Sequence, residues 1–242
     1  MILQRVEHPD WLSNAYLVVD RPGGHGVLVD GNGVIEPLLE RVEREGTEIT
    51  HVLLTHHHAD HVVDVAELAE RFGVPLLGHS DNDVATGELE GPLRSGDLEI
   101  EPIRTPGHCA DHLALLIDGT DCLTADVLFK GTVGGTRAPG HTTFDDLKSS
   151  IMDRLMTLPG ETRVHPGHRG PTTVAAEWEH NPFVRIWRGL DPEGSDRCGV
   201  GEEEATLVLW APDYDGTNKA WVRLESGEDV VVGGSQVDRA VS

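Results

Sequence analysis

The sequence predicts an α/β (α+β) protein with a sheet-on-sheet core and helices outside. Three observations carry this. Strand-like and helix-like runs recur in two β-rich halves, the pattern of layered sheets covered by helices. A dense cluster, Thr55-His56-His57-His58-Ala59-Asp60-His61, falls between a strand pattern and a helix pattern, at a strand's carboxyl end, where such folds build sites. A stretch rich in Gly, Asp and Pro then separates these halves from a strand-rich tail.

In order along the chain, residues 2–6 alternate and read as a strand. Residues 15–19 and 27–29 are two more, joined by the Arg21-Pro22-Gly23-Gly24 turn. After the Asp30-Gly31-Asn32-Gly33 turn, a helix is expected over 35–44, with Pro37 tolerated in its first turn. The β-branched run 49–54 reads as a buried strand, and 62–72 has apolar residues at helical spacing. Residues 74–77 form a short strand, and 78–97 carry no strong pattern.

Residues 98–103 alternate as a strand and lead to the Arg104-Thr105-Pro106-Gly107-His108 turn. Runs 113–117 and 122–124 flank Asp118-Gly119-Thr120-Asp121, a hairpin signal. Ala125-Asp126 opens a Gly-rich loop, and a helix is expected over 144–156. Residues 161–164 are strand-like and end at His165-Pro166-Gly167-His168, and 172–180 is helical. The expected domains are 1–188, a linker over 189–201, and a small β-rich C-terminal extension over 202–242 with strands at 205–210, 220–224 and 229–232. About 40 residues is too few for an independent core, so this extension should dock on the main domain or pair with a second chain as a homodimer.

The net charge of -23 argues against nucleic acid, which needs clustered cations, and only Lys130, Lys148 and Lys219 are lysines. No run of about 18 apolar residues exists, so no membrane span is expected. The first residues lack the basic and apolar regions of a signal peptide. Three cysteines, Cys109, Cys122 and Cys198, form no C-x-x-C pair, which fits a reducing cytoplasm.

Fourteen histidines in an acidic chain point to metal. Positions 56 and 58 face the same way in an extended loop, while Asp60 and His61 come from the turn into the helix and address a second point. That division suggests two ions. His108, Asp126 and His168 each follow an apolar strand and begin a loop. Seven donors rich in nitrogen suit borderline divalent ions, zinc first, with iron or manganese also suited. His57 should point away from the ligands, and His51, His112, His165 and Cys109 read as packed neighbours. Trp210, Tyr214 and Trp221 read as packing residues of the tail.

The string T-H-x-H-x-D-H at 55–61, followed by T-P-G-H at 105–108, D-x-L-F at 126–129 and P-G-H at 166–168, resembles the metallo-β-lactamase superfamily over residues 1 to about 188. Within it the chain resembles the glyoxalase II-like hydrolases, through Asn14-Ala15-Tyr16-Leu17-Val18, Val29-Asp30-Gly31, Thr172-Thr173, Glu177 and Asn181-Pro182-Phe183. The resemblance implies an αββα sandwich. It implies His56, His58 and His108 on one metal, Asp60, His61 and His168 on the other, and Asp126 bridging both, with Asp30 behind them orienting the ligand loop. It implies a metal-bridging hydroxide attacking a thioester or ester carbonyl of a small molecule, with Asp60 and Asp126 orienting the water and carrying its proton.

The sequence departs from that family after D-x-L-F. The usual G-R or G-R-T-D element reads Gly134-Gly135-Thr136-Arg137, so glycine stands at the arginine's place; Arg137 and His141 are the candidate substrate contacts. The motif after the last ligand reads His168-Arg169-Gly170-Pro171, and strands replace the family's helical C-terminal domain. Rival readings are a persulfide dioxygenase with mononuclear iron, a lactone or β-lactam hydrolase on the same fold, and a non-catalytic scaffold that binds partners through the tail.

Overall fold

The computed structural model describes residues 1–239. The chain divides into two compact units, one comprising Met1–Arg104, Asp111–Ala125 and His165–Arg169, the other Thr105–Ala110, Asp126–Val164 and Gly170 onward.

The first unit holds strands β1 (Ile2–Glu7), β2 (Asn14–Val19), β3 (His25–Val29), β4 (Glu48–Leu53), β5 (Leu76–Gly78), β6 (Gly87–Glu88), β7 (Leu93–Ser95), β8 (Leu98–Arg104), β9 (Leu113–Ile117) and β10 (Asp121–Ala125). Its helices are α1 (Glu36–Glu45), α2 (Ala59–Val62) and α3 (Val65–Phe72). Strands β1 to β6 form one six-stranded sheet in chain order, antiparallel from β1 to β3 and parallel from β3 to β6. Strands β7 to β10 form consecutive antiparallel pairs of a second sheet.

Alternation along β2 explains the layering, because successive side chains leave opposite faces. Ala15, Leu17 and Val19 pack with Leu38, Leu39, Val42, Val65 and Leu68 of α1 and α3. Tyr16 and Val18 pack with Leu98, Ile100, Leu113, Leu115 and Ile117 of the second sheet. The expected sheet-on-sheet core is therefore present, with helices on the outer face of the first sheet. The hairpin between β9 and β10 turns on Asp118 and Gly119, both at positive φ (49° and 66°), the paired left-handed geometry that a tight hairpin needs.

The helix expected over 62–72 is two helices. Gly31 N–H donates to the His61 carbonyl (2.8 Å) and Val63 N–H donates to the Gly31 carbonyl (3.1 Å), so the turn after β3 takes two groups that a continuous helix would use. Periodicity does not reveal that competition.

The second unit holds β11 (Leu128–Phe129), β12 (Thr132–Val133), β13 (Arg163–Pro166), β14 (Thr172–Thr173), β15 (Asp196–Val200), β16 (Glu203–Pro212), β17 (Asn218–Leu224), β18 (Asp229–Gly233) and β19 (Val237–Asp238), with helices α4 (Phe144–Ser149), α5 (Val174–His180) and α6 (Pro182–Trp187). Strand β13 crosses between the units, and its last residues, His165 and Pro166, belong to the first. The helix expected over 144–156 keeps α-geometry only to Ser149, then winds through a π-type turn over Ser150–Arg154 and a 3-10 turn over Leu155–Thr157.

The tail forms a five-stranded sheet in the order β18-β17-β16-β15-β19. The stretch 189–201 is thus not linker throughout. Asp196–Val200 pairs antiparallel with β16, and Cys198 and Val200 are buried in the tail's core, an ordering that a Gly- and Asp-rich composition hides. One face packs Cys198, Leu207, Ala220, Val222, Val230 and Val232 together. From the other, Trp221 meets Phe144 of α4 and Trp187 of α6, with ring centroids 4.8 and 6.3 Å apart. Among the described residues, no helix is long and apolar enough to cross a membrane.

Candidate metal centre

In the first unit, β4 ends at Leu53 and the chain runs as an extended loop to His58, which caps α2. Asp30 anchors this loop from the end of β3. Its Oδ1 accepts from Thr55 N–H (2.8 Å), and its Oδ2 accepts from the Thr55 hydroxyl (2.7 Å) and from His61 Nδ1 (3.0 Å). The Thr55 hydroxyl spends its proton on Asp30, so its oxygen accepts from His56 Nδ1 at 3.0 Å. His56 and His58 stack edge to face, with ring centroids 4.7 Å apart.

His168 reaches the same unit from the end of β13. The segment that carries it is held by β2 and the loop before it. Asn14 Nδ2 donates to the carbonyls of Pro166 (2.9 Å) and Arg169 (2.8 Å), and the Tyr16 hydroxyl donates to the Pro166 carbonyl at 2.6 Å. Asn14 N–H donates to the Gly167 carbonyl, and Ser13 forms a β-bridge with His168. This gives physical content to the Asn14-Ala15-Tyr16 pattern, since both polar side chains clamp the loop that carries His168. His168 Nδ1 donates to the Trp11 carbonyl (3.1 Å). One ligand atom from each of Asp60, His61 and His168 lies within 4.8 Å of the others. The Nε2 atoms of His61 and His168 are 3.6 and 3.5 Å from Asp60 Oδ2.

In the second unit, His108 and Asp126 form a pair. His108 Nε2 lies 3.6 Å from Asp126 Oδ2, and His108 Nδ1 donates to the Gly135 carbonyl at 2.9 Å. Asp126 directly follows Ala125, a non-glycine residue at positive φ (39°), which marks the sharp exit from β10.

A common rule emerges at four histidines. His56, His61, His108 and His168 each give Nδ1 to an oxygen acceptor, three of which cannot donate in return. The proton is therefore on Nδ1, and Nε2 carries the lone pair. For His61, His108 and His168, that Nε2 faces a carboxylate. This is how ligating imidazoles are oriented and made more basic. All four are buried, as are Asp30 and Asp126. The donors present fit divalent ions such as zinc.

The neighbouring polar residues have other partners. His57 donates toward Asp111 Oδ1 (2.7 Å), and Asn82 donates to Asp111 Oδ2 (2.6 Å). His165 Nε2 lies 2.8 Å from Asp121 Oδ1, and His51 Nδ1 lies 3.0 Å from the Thr50 hydroxyl. His112 is buried, its ring 5.2 Å from that of His56. Of the candidate substrate contacts, Arg137 extends toward Glu203 (3.6 Å), and His141 Nδ1 donates to the Ala138 carbonyl (2.9 Å). Sequence reasoning assigned no role to Thr55 or to the carbonyls of Trp11 and Gly135. Thr55, adjacent to His56, could have been suspected; a carbonyl is common to every residue and gives no signal.

A family model described as Metallo-beta-lactamase superfamily matches residues 8–97. The chain is 40% identical over 162 residues to the hydroxyacylglutathione hydrolase of Xanthomonas axonopodis pv. citri (strain 306), covering 63% of this chain and 60% of that relative; it thus spans less than two thirds of the relative's length. The fold is similar to ETHE1 from Myxococcus xanthus, with a TM-score of 0.70 and 29% identity over 79% of this chain and 92% of that one. It is also similar to TTHA1623 in a di-iron-bound form, with a TM-score of 0.64 and 32% identity over 74% of this chain and 99% of that one.

Proposed function

Because the chain belongs to the metallo-β-lactamase superfamily, we propose that it is a dinuclear metal-dependent hydrolase that cleaves a thioester or ester of a small molecule. The observation that carries this reading is the uniform presentation of Nε2 by buried histidines whose Nδ1 atoms are tied back, beside the carboxylates of Asp60 and Asp126. The proposed ligands are His56, His58 and His108 for one ion and Asp60, His61 and His168 for the other, with Asp126 shared. Two such ions, when bound, supply Lewis acidity and lower the pKa of a water toward roughly 7.

The chain's own residues do the rest. Asp30 and Thr55 hold the imidazoles of His61 and His56 in one tautomer and one orientation. Asp60 and Asp126 orient the attacking water and accept its proton at a carboxylate oxygen. That water's oxygen bonds to the acyl carbon, the C–S or C–O bond breaks, and the departing thiolate or alkoxide takes up a proton. The relative named hydroxyacylglutathione hydrolase supports a thioester substrate. We further propose a cytoplasmic location, with dimerisation through the extension 202–242.

The likeness to ETHE1 and to a di-iron protein supports a second reading, in which iron occupies the site and a persulfide is oxidised by O₂. The two readings part in one experiment. The protein is purified without a chelating tag and assayed for S-lactoylglutathione hydrolysis and for O₂ uptake with glutathione persulfide. Thioester cleavage without O₂ uptake is expected. Uptake of O₂ with no hydrolysis of any thioester would replace the first reading with the second.

A further inference from the structure

The loop after β12 links the tail to His108. Gly134 N–H donates to the Val127 carbonyl (3.0 Å), and a Cβ at Gly134 would lie 2.0 Å from the Asp126 carbonyl oxygen and 3.3 Å from His108 Cβ. Only glycine lets the loop lie this close against both residues. The next carbonyl, that of Gly135, accepts from His108 Nδ1 (2.9 Å). The residue after that, Thr136, is stitched to the open edge of β18 by two hydrogen bonds. Thr136 N–H donates to the Val231 carbonyl (2.9 Å), and Val231 N–H donates to the Thr136 hydroxyl (2.9 Å). Thr136 and Val231 are both buried, so neither bond is readily exchanged for water.

We infer that Thr136 is a positioning residue through which the C-terminal sheet holds His108 in its ligating orientation. This rests on the metal-centre reading above. The Gly135 carbonyl is the acceptor that fixes the His108 tautomer, and its place is set on one side by Gly134 against Asp126 and on the other by Thr136 against Val231. The tail is then part of the metal centre's support.

The test uses the full chain loaded with zinc and titrated with chelators of graded strength, counting zinc per chain by native mass spectrometry. Thr136→Val removes the acceptor for Val231 N–H at nearly constant volume. It should weaken retention of one ion about tenfold, as loss of a ligand's supporting partner does, and leave the other ion's retention as in wild type. Thr136→Ser, which keeps the hydroxyl, should restore retention. Thr136→Ala, read in parallel, removes the hydroxyl without adding a methyl. Zinc retention equal to wild type in the Val and Ala variants, even with a lowered Tm, would make Thr136 merely structural and overturn the inference. So would equal weakening of both ions, or failure of both variants to fold. A wild-type chain that holds no zinc, iron or manganese would overturn the metal reading itself, and this inference with it.

Discussion

Asp30 satisfies three donors at once from a left-handed backbone (φ 59°), a conformation that Asp tolerates better than most residues. Asp30→Ala would strand Thr55 N–H, the Thr55 hydroxyl and His61 Nδ1–H in a buried place, at about 1–3 kcal/mol for each orphaned group. We expect zinc affinity to fall roughly 10- to 100-fold. Chelator titration checks this, and unchanged affinity would refute Asp30's orienting role. Cys122 offers a simpler prediction. Burial, helped by the charge of Asp121, pushes its thiol up to about 12. Its labelling by a thiol reagent at neutral pH should follow global unfolding; rapid labelling of the folded chain would contradict that burial. The proposed ligands were legible in the sequence because imidazole and carboxylate chemistry at fixed spacing is rare. Their supports were half legible: Asp30 shows as a side chain, whereas the Trp11 and Gly135 carbonyls do not.

At the scale of elements, α4 opens on a capping box. The Thr143 hydroxyl accepts from Asp146 N–H (3.0 Å), and Asp146 Oδ2 accepts from Thr143 N–H (3.2 Å). Thr143→Ala should cost about 1 kcal/mol of stability. Hydrogen bonding from Thr143 holds the Asp146 carboxyl below its usual pKa of 3.8. A depressed folded pKa means a contribution present above the unfolded value and lost as pH falls through the folded one. Asp146→Asn should therefore destabilise the chain at neutral pH and cease to do so in strong acid. Urea unfolding at the two pH values checks this, and a pH-independent loss would refute it. Strands were legible from alternation, and helices from periodicity. The break at Val63–Asp64 was not, because it comes from Gly31, far away in sequence. Strand β15 was also missed, since its pairing with β16 orders a stretch whose composition reads as linker.

For the whole molecule, the proposed metal centre draws two ligand sets from one chain, one from the 56–58 loop with His108 and one from Asp60, His61 and His168. The sequence carried both sets through motif order. It did not carry the tail's part, because strands 205–210, 220–224 and 229–232 are visible while the bonds from Val231 to Thr136 are not. The most direct measurement is metal per chain, by native mass spectrometry, for wild type, His108→Ala and His168→Ala. About two ions are expected in wild type and about one in each variant, with thioester cleavage lost in both. A wild-type chain that holds a single ion, or a His168→Ala chain that still holds two, would contradict this.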